Sequence, residues 1–216
     1  MLVQERMTQN PITVNPDTSV PDALRLMREH KVRRLPVVDR HGKLVGIVSD
    51  KDLLYASPSP ATTLAVWEIP ELLGKLRVEK VMTHGVITVT EDTALEEAAR
   101  IMADSKIGGL PVMRGGSLVG IITETDLFKS LLELLGGRRS GIRVAVAVPS
   151  VKGELAKLTT AIFEKGGNIV GIGLKNILGS SGNVAEVVMK VQDIGQAELV
   201  ETLRPLVNSI LDVREA

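Results

Sequence analysis

Leu44-Val45-Gly46-Ile47-Val48-Ser49-Asp50-Lys51-Asp52 returns 74 residues later as Leu118-Val119-Gly120-Ile121-Ile122-Thr123-Glu124-Thr125-Asp126. Each stretch is a short apolar run ending in a hydroxyl residue with an aspartate three places on, the pattern of a strand that runs into a capped helix. Outward from this pair, Leu35-Pro36-Val37 matches Leu110-Pro111-Val112, Ile12-Thr13-Val14 matches Ile87-Thr88-Val89, and Met7-Thr8 matches Met82-Thr83, all at an offset of 75. One residue is lost in the turn, where Asp39-Arg40-His41-Gly42 faces Arg114-Gly115-Gly116. About 20 of 43 gap-free positions are identical, which makes this an internal repeat. Two copies of this length imply a pseudo-twofold pair of small domains with two equivalent clefts.

Each copy has the same local order. Ile12–Val14 predicts a short strand, and Asp17-Thr18 stands at an expected helix N-cap. Val20, Ala23, Leu24 and Met27 follow at helical spacing, as do Leu95, Ala98, Ala99 and Met102 in the second copy. Glu96, three residues after Thr93, predicts a capping box. Leu35–Asp39 and Leu44–Ser49 predict a hairpin, and a helix begins at Ser49 and again at Thr123. The unit is β-α-β-β-α. The repeated methionines Met7, Met27, Met82 and Met102 read most simply as core filler. Ser57-Pro58-Ser59-Pro60 is a linker signal, and Leu64–Leu76 is helical in patches around Pro70, with Trp67 as a packing anchor.

These residues carry a family resemblance. The repeat resembles a cystathionine-β-synthase-type (CBS) domain, on Leu-Pro-Val, Gly-Ile-Val-Ser-Asp-Lys-Asp-Leu and Gly-Ile-Ile-Thr-Glu-Thr-Asp-Leu in the expected order. Residues 7–130 thus resemble a tandem CBS pair, an α/β (α+β) regulatory module whose clefts often take adenosine compounds. The implied boundaries are 1–60 for the first domain, 61–135 for the second with a linker helix over 61–80, and 136–141 for a further linker.

From residue 142 to 216 the pattern changes. A strand over Ile142–Val148, a helix from about Gly153 to Lys165, strands over Ile169–Ile177 and Val184–Val191 around Gly179–Asn183, a helix over Gln196–Val207 and a last strand over Ile210–Val213 give the ferredoxin-like order βαββαβ. Gly153-Glu154-Leu155 and Gly167-Asn168-Ile169 make this segment resemble an ACT domain, which implies an amino-acid site at Gly153, Asn168 and Ile169 or association through its sheet. A lysine, Lys152, stands where the ACT pattern usually has proline. Two CBS-type units followed by an ACT-type unit resemble the acetoin-utilisation B-type family of bacteria.

Composition limits the function classes. Lysine plus arginine equals aspartate plus glutamate at 26 each, and the balance holds locally, with 8 of each sign in 141–216. A nucleic-acid binder carries a basic excess and stacking aromatics, whereas aromatics are 2% of this chain. There is no cysteine, and His30, His41 and His84 fit no metal-ligand spacing. No apolar run approaches the 18 or so residues of a membrane span. No catalytic constellation stands out, so neither an enzyme nor a catalytic cofactor is expected. The glycines at 166, 167, 171 and 173 do not form a phosphate loop, because no Lys-Ser/Thr follows. The reading is a cytoplasmic regulatory homodimer with no nucleic-acid, membrane or metal partner.

A carboxylate accepts hydrogen bonds from both hydroxyls of a ribose, and a fork of arginines pairs phosphates. The resemblance places Asp52 and Asp126 on ribose and Ser49 and Thr123 near phosphate, with Arg33 and Arg34 as phosphate partners. Ile12, Pro36, Ile87 and Pro111 then wall the base, and Thr13, Thr88, Gly108 and Gly109 complete the set. The implied ligands are AMP, ADP, ATP or S-adenosylmethionine. Two plainer readings stay open: both hydroxyl-x-x-Asp motifs are also simple caps, and Arg33-Arg34 is also a solvated corner. His30–Arg34 faces Ser105–Gly109 across the repeat, so two arginines oppose two glycines. That contrast predicts a first cleft selective for phosphate and a second without a cation.

Overall fold

The computed structural model describes residues 1–56, 75–176 and 183–216. The linker signal at 57–60, Trp67, Pro70 and most of the expected helices over 61–80 and Leu64–Leu76 lie outside the described residues, as does the turn over 179–182. The chain divides into two units, Met1–Leu127 and Phe128–Ala216.

In the first unit, α1 (Val20–Glu29) leads to the antiparallel hairpin β2 (Arg34–Val38) and β3 (Leu44–Ser49) and then to α2 (Asp50–Tyr55). Its counterpart is α3 (Leu95–Ser105), β5 (Gly109–Arg114), β6 (Ser117–Thr123) and the start of α4 (Glu124–Leu134), whose residues from Phe128 onward belong to the second unit, with β4 (Val89–Thr90) parallel to β5. The strand expected at Ile12–Val14 is reduced to one parallel bridge, Val14 to Val37.

The repeats exchange their lead-in segments. β1 (Thr8–Gln9) pairs not with its own hairpin but with β6, Thr8 opposite Ile121. The counterpart is a bridge from Thr83 to Ile47 in β3. The amide of Val3 donates to the Thr93 carbonyl at 2.9 Å, and that of Val78 to the Thr18 carbonyl at 2.9 Å. Val3 is buried among Leu95, Leu110 and Ile122, while Val78 and Met82 are buried among Val20, Leu35 and Val48. Burying one such valine contributes about 1.5–3 kcal/mol to the half that receives it. The repeated methionines at 7 and 82 do more than fill space. A Cβ on Gly120 would lie 2.4 Å from Met7 Sδ, and one on Gly46 would lie 2.4 Å from Met82 Sδ, so each glycine seats the thioether of the other repeat's lead-in.

Two expected caps are displaced. Ser19, not Asp17 or Thr18, caps α1, its Oγ accepting from the Asp22 amide at 3.2 Å. Thr18 Oγ1 instead accepts from the Asn15 amide, and Thr93 Oγ1 from the Thr90 amide, each at 3.1 Å. These are turn bonds that short hydroxyl side chains make before a helix begins. α3 starts after Ala94 with no side-chain cap, so the box from Thr93 to Glu96 is not formed.

In the second unit β7 (Ile142–Pro149), α5 (Glu154–Glu164), β8 (Asn168–Asn176), β9 (Val184–Gln192), α6 (Gln196–Leu203) and β10 (Ser209–Glu215) follow one another. The sheet order β10-β7-β9-β8, all antiparallel, is that of a ferredoxin-like fold. Val144, Val146 and Val148 of β7 and Val187, Met189 and Val191 of β9 alternate onto the face covered by α5 and α6, where Leu158, Ile162, Leu199 and Leu203 complete the core. The last helix stops four residues short of the expected Val207. Pro205 offers no amide for the helical ladder, and Arg204–Leu206 closes as a 3-10 turn.

Candidate ligand clefts

The Ser49 motif forms a capping box at the end of β3, and at the end of β6 the Asp126 carboxylate reaches back to Thr123 in the same way. Asp52 Oδ2 accepts from the Ser49 amide at 2.8 Å and from Ser49 Oγ at 2.7 Å. Asp126 Oδ2 accepts from the Thr123 amide at 3.0 Å and from Thr123 Oγ1 at 2.7 Å. The plain reading as caps is therefore realised. Both motifs also face cavities.

One cavity, of about 400 Å³, takes Ile12, Arg33 and Arg34 from the first repeat and Thr123 and Asp126 from the second. The other, of about 380 Å³, takes Ile87, Gly108 and Gly109 from the second repeat and Ser49 and Asp52 from the first. Each cleft is thus built across the pair, because the exchanged lead-ins bring Thr8 beside Ile121 and Thr83 beside Ile47.

Arg34 lines both cavities. It stands at the start of β2 opposite Ser49, as Gly109 stands opposite Thr123. Its side chain lies along the Gly108-Gly109 backbone: a Cβ on Gly108 would lie 2.0 Å from Arg34 Nη2 and 2.7 Å from Glu124 Oε2. The missing side chain at Gly108 is the space that the guanidinium occupies. The expectation of a second cleft without a cation is corrected by this: Arg34, Lys51 and Lys106 all line it.

Thr13, Pro36, Thr88 and Pro111 line neither cavity. Both prolines are buried within their strands, and Ile121, opposite Pro111, reaches the first cleft instead. Sequence reasoning missed Lys31 and Lys106, which line one cavity each and share a left-handed backbone with φ of 54°. Their identity at the repeat offset was the available signal. Each closes a helix, so the chain turns sharply from α1 into Arg33 and from α3 into Gly108. A non-glycine residue in that conformation costs free energy and is often found at functional sites.

In the second unit Gly153 precedes α5 with φ of 92° and lines a groove of about 610 Å³ with Lys152, Leu155 and Leu174. Asn168 and Ile169 do not join it. Asn168 pairs with Gln192, whereas Pro149, just before Gly153, pairs with Val184, eight residues away along β9. At about 3.4 Å per residue that is roughly 27 Å. The expected amino-acid site of Gly153, Asn168 and Ile169 is therefore not assembled within one chain. Among the described residues no helix is long and apolar enough to cross a membrane.

The CBS domain profile matches residues 3–59 and 78–133. The CBS pair of protein MJ0100, solved with 5′-methylthioadenosine and S-adenosyl-L-methionine, is 31% identical with a TM-score of 0.52, over 64% of this chain and 98% of that one. CBSX2, a protein of Arabidopsis thaliana solved with AMP, is 38% identical with a TM-score of 0.50, over 61% of this chain and 96% of that one. A candidate acetoin utilization protein (AcuB) from Vibrio cholerae is 36% identical with a TM-score of 0.51, over 62% and 94%. Among curated relatives the chain spans 94% of a CBS domain-containing protein of Dictyostelium discoideum, but only 24% of the L-aspartate semialdehyde sulfurtransferase of Methanocaldococcus jannaschii and 36% of the inosine-5′-monophosphate dehydrogenase of Aquifex aeolicus. Two profile matches at the two repeats cover more than half of the sequence, and the chain belongs to the CBS-domain family.

Proposed function

We propose that this chain is a regulatory sensor, not an enzyme, and that it binds an adenine nucleotide or another adenosyl ligand in the two clefts of its CBS pair. The observation that carries the reading is the convergence in each cleft of a strand-end carboxylate from one repeat with a cation and an apolar wall from the other. A ribose suits Asp52, whose Oδ2 is held in the cap while Oδ1 stays available. Asp126 occupies the corresponding place in the first cleft. Arg33, Arg34, Lys31 and Lys106 suit phosphate or carboxylate, and Ile12 and Ile87 suit a base. The likeness to pairs solved with AMP and with S-adenosyl-L-methionine supports this ligand class.

A ligand that touches both repeats has different affinity for different arrangements of the pair, which is the physical requirement for a switch. A partner enzyme reads that state. Relatives in which such a pair is part of an enzyme chain support this role. The C-terminal unit acts as an ACT-type module that holds a homodimer or senses a small metabolite such as an amino acid. Its ferredoxin-like sheet and the likeness of the pair to the candidate acetoin utilization protein support a cytoplasmic metabolic setting.

Native mass spectrometry of protein purified without added nucleotide is the direct test. A retained adenosyl mass, or micromolar calorimetric binding of AMP or S-adenosylmethionine, is expected. A folded protein that binds none of a panel of adenosine compounds overturns the reading.

A further inference from the structure

The ferredoxin-like sheet has an open face opposite its helices. Side chains alternate along β9, so Glu186, Val188 and Lys190 point to that face while their neighbours enter the core. Arg143 stands directly opposite Lys190 on β7. Two cations facing each other across an antiparallel pair destabilise the sheet unless something neutralises them. Arg143 has its partner in Asp212, and Glu186 is taken by Lys175 at 2.9 Å. Lys190 is left over. It is 6% exposed, and among the described residues its ammonium has no carboxylate partner. A lysine so largely covered, beside a second cation and with no carboxylate on it, keeps its ammonium open to the cavity described next and leaves a positive charge for an anion to neutralise.

A cavity of about 680 Å³ lies over this pair, all within the second unit. Arg143, Lys190 and the Lys175–Glu186 ion pair make its polar side, and Leu131, Leu132, Leu135 and Leu174 its aliphatic one. Leu131 and Leu174 are 50% and 52% exposed, unusual values for leucines that line a concave surface. One wall is fixed by close backbone contact. A Cβ on Gly171 would lie 2.3 Å from the carbonyl carbon of Leu135, so the chain after α4 presses on β8 where only glycine admits it.

We propose that this cavity is a binding site for a small anion with an apolar body, of the medium-chain carboxylate class. The carboxylate neutralises Lys190 and shares the Arg143 side, and the hydrocarbon covers the leucines. Neither a bare anion nor a bare hydrocarbon satisfies both halves. The cavity shares no lining residue with the clefts of the CBS pair, meets the groove at Gly153 only at Leu174, and does not depend on what those clefts bind.

Calorimetric titration of the full chain with octanoate tests the proposal, with acetate and 1-octanol as controls and AMP in a parallel titration. Saturable binding of octanoate is expected, with acetate and octanol at least tenfold weaker. Lys190→Met keeps the aliphatic stem and should weaken octanoate tenfold or more while leaving the AMP titration unchanged. Should that variant fold poorly, Leu131→Glu places a carboxylate at the exposed rim and should have the same effect. Octanoate binding that is absent, equal to that of octanol, or untouched by both variants overturns the proposal. So does light scattering that shows a second copy covering this face, with octanoate unable to compete.

Discussion

The guanidinium of Arg34 lies over Gly108, in the space where any other residue would carry its Cβ. The two residues belong to different repeats, and the contact makes one cation a wall of both clefts. It also separates Arg34 from its neighbour Arg33, which lines the first cleft and is absent from the second.

Arg34→Ala is therefore expected to weaken AMP in both clefts, by about tenfold each, the scale of one lost charge-assisted contact. Arg33→Ala should weaken the first cleft alone. Calorimetry resolving two sites checks this. An Arg34→Ala protein in which one site keeps its affinity places the side chain in solvent in solution.

Gly108→Ala tests the same contact from the other side. The new methyl group meets the flexible end of Arg34, so the side chain swings off and folding should survive. Affinity in the cleft that contains Asp52 should fall, because the cation leaves it. Unchanged melting with lowered affinity there is the expected pair of results. A variant with wild-type affinity in both clefts counts against the shared cation.

Asp52→Ala and Asp126→Ala remove a capping carboxylate as well as a candidate ribose partner. Each should cost about 1 kcal/mol of stability from the lost cap and a further 1.5–3 kcal/mol of adenosyl affinity at its own cleft. Thermal melts and titrations on the same preparation separate the two effects. A loss of stability with intact affinity leaves the motifs as caps only.

Gly46→Ala and Gly120→Ala probe the exchanged lead-ins. Each methyl group would press on a methionine sulphur at 2.4 Å, and Gly120 also faces the Thr8 carbonyl at 3.2 Å. Overpacking of this kind costs about 1–3 kcal/mol. The two losses should be similar, since the sites are equivalent by the repeat. Urea titrations with one loss large and the other near zero would contradict that equivalence.

Acid should destabilise the protein and mild alkali should not. The Ser19 hydroxyl and then Arg25 hold the Asp22 carboxyl below its ordinary range, the Lys43 amide does so for Asp39, and Arg114, Arg100 and Arg214 do so for Glu91, Glu97 and Asp212. A carboxyl whose folded pKa is depressed adds stability that is complete above its unfolded value of about 4 and is lost as pH falls through the folded value. Melting temperature should be level from about pH 6 to 8 and drop below about pH 4. These groups are solvent-exposed, so the slope should be shallow and should flatten in high salt. A protein that gains stability on acidification contradicts the assignment.

The sequence made the repeat legible, along with the hairpins, the hydroxyl-x-x-Asp motifs at Ser49 and Thr123, and the order of the ferredoxin-like unit. These are local patterns read over a few residues. The exchange of lead-ins was not legible, because an offset of 75 shows that Met7 corresponds to Met82 without saying which half each completes. The double role of Arg34 was hidden for the same reason: set against Gly108-Gly109 by the repeat, Arg33-Arg34 predicts a difference between clefts, whereas in space Arg34 lines both and fills the room at Gly108. Gly153 and Asn168 were joined by resemblance although α5 carries the chain from one end of the sheet to the other between them.

The exchange also orders the events of synthesis. The first repeat cannot close when its own last helix leaves the ribosome, because Val78 and Met82, which fill its core, have yet to be made. The opening residues have the reverse problem. Val3 and Thr8 are made early but find their partners in the second repeat, Val3 at Thr93 and Thr8 at Ile121, so Thr8 waits across more than a hundred residues of chain. Loss of the first seven residues to a protease would accordingly injure the half of the pair to which they are not attached.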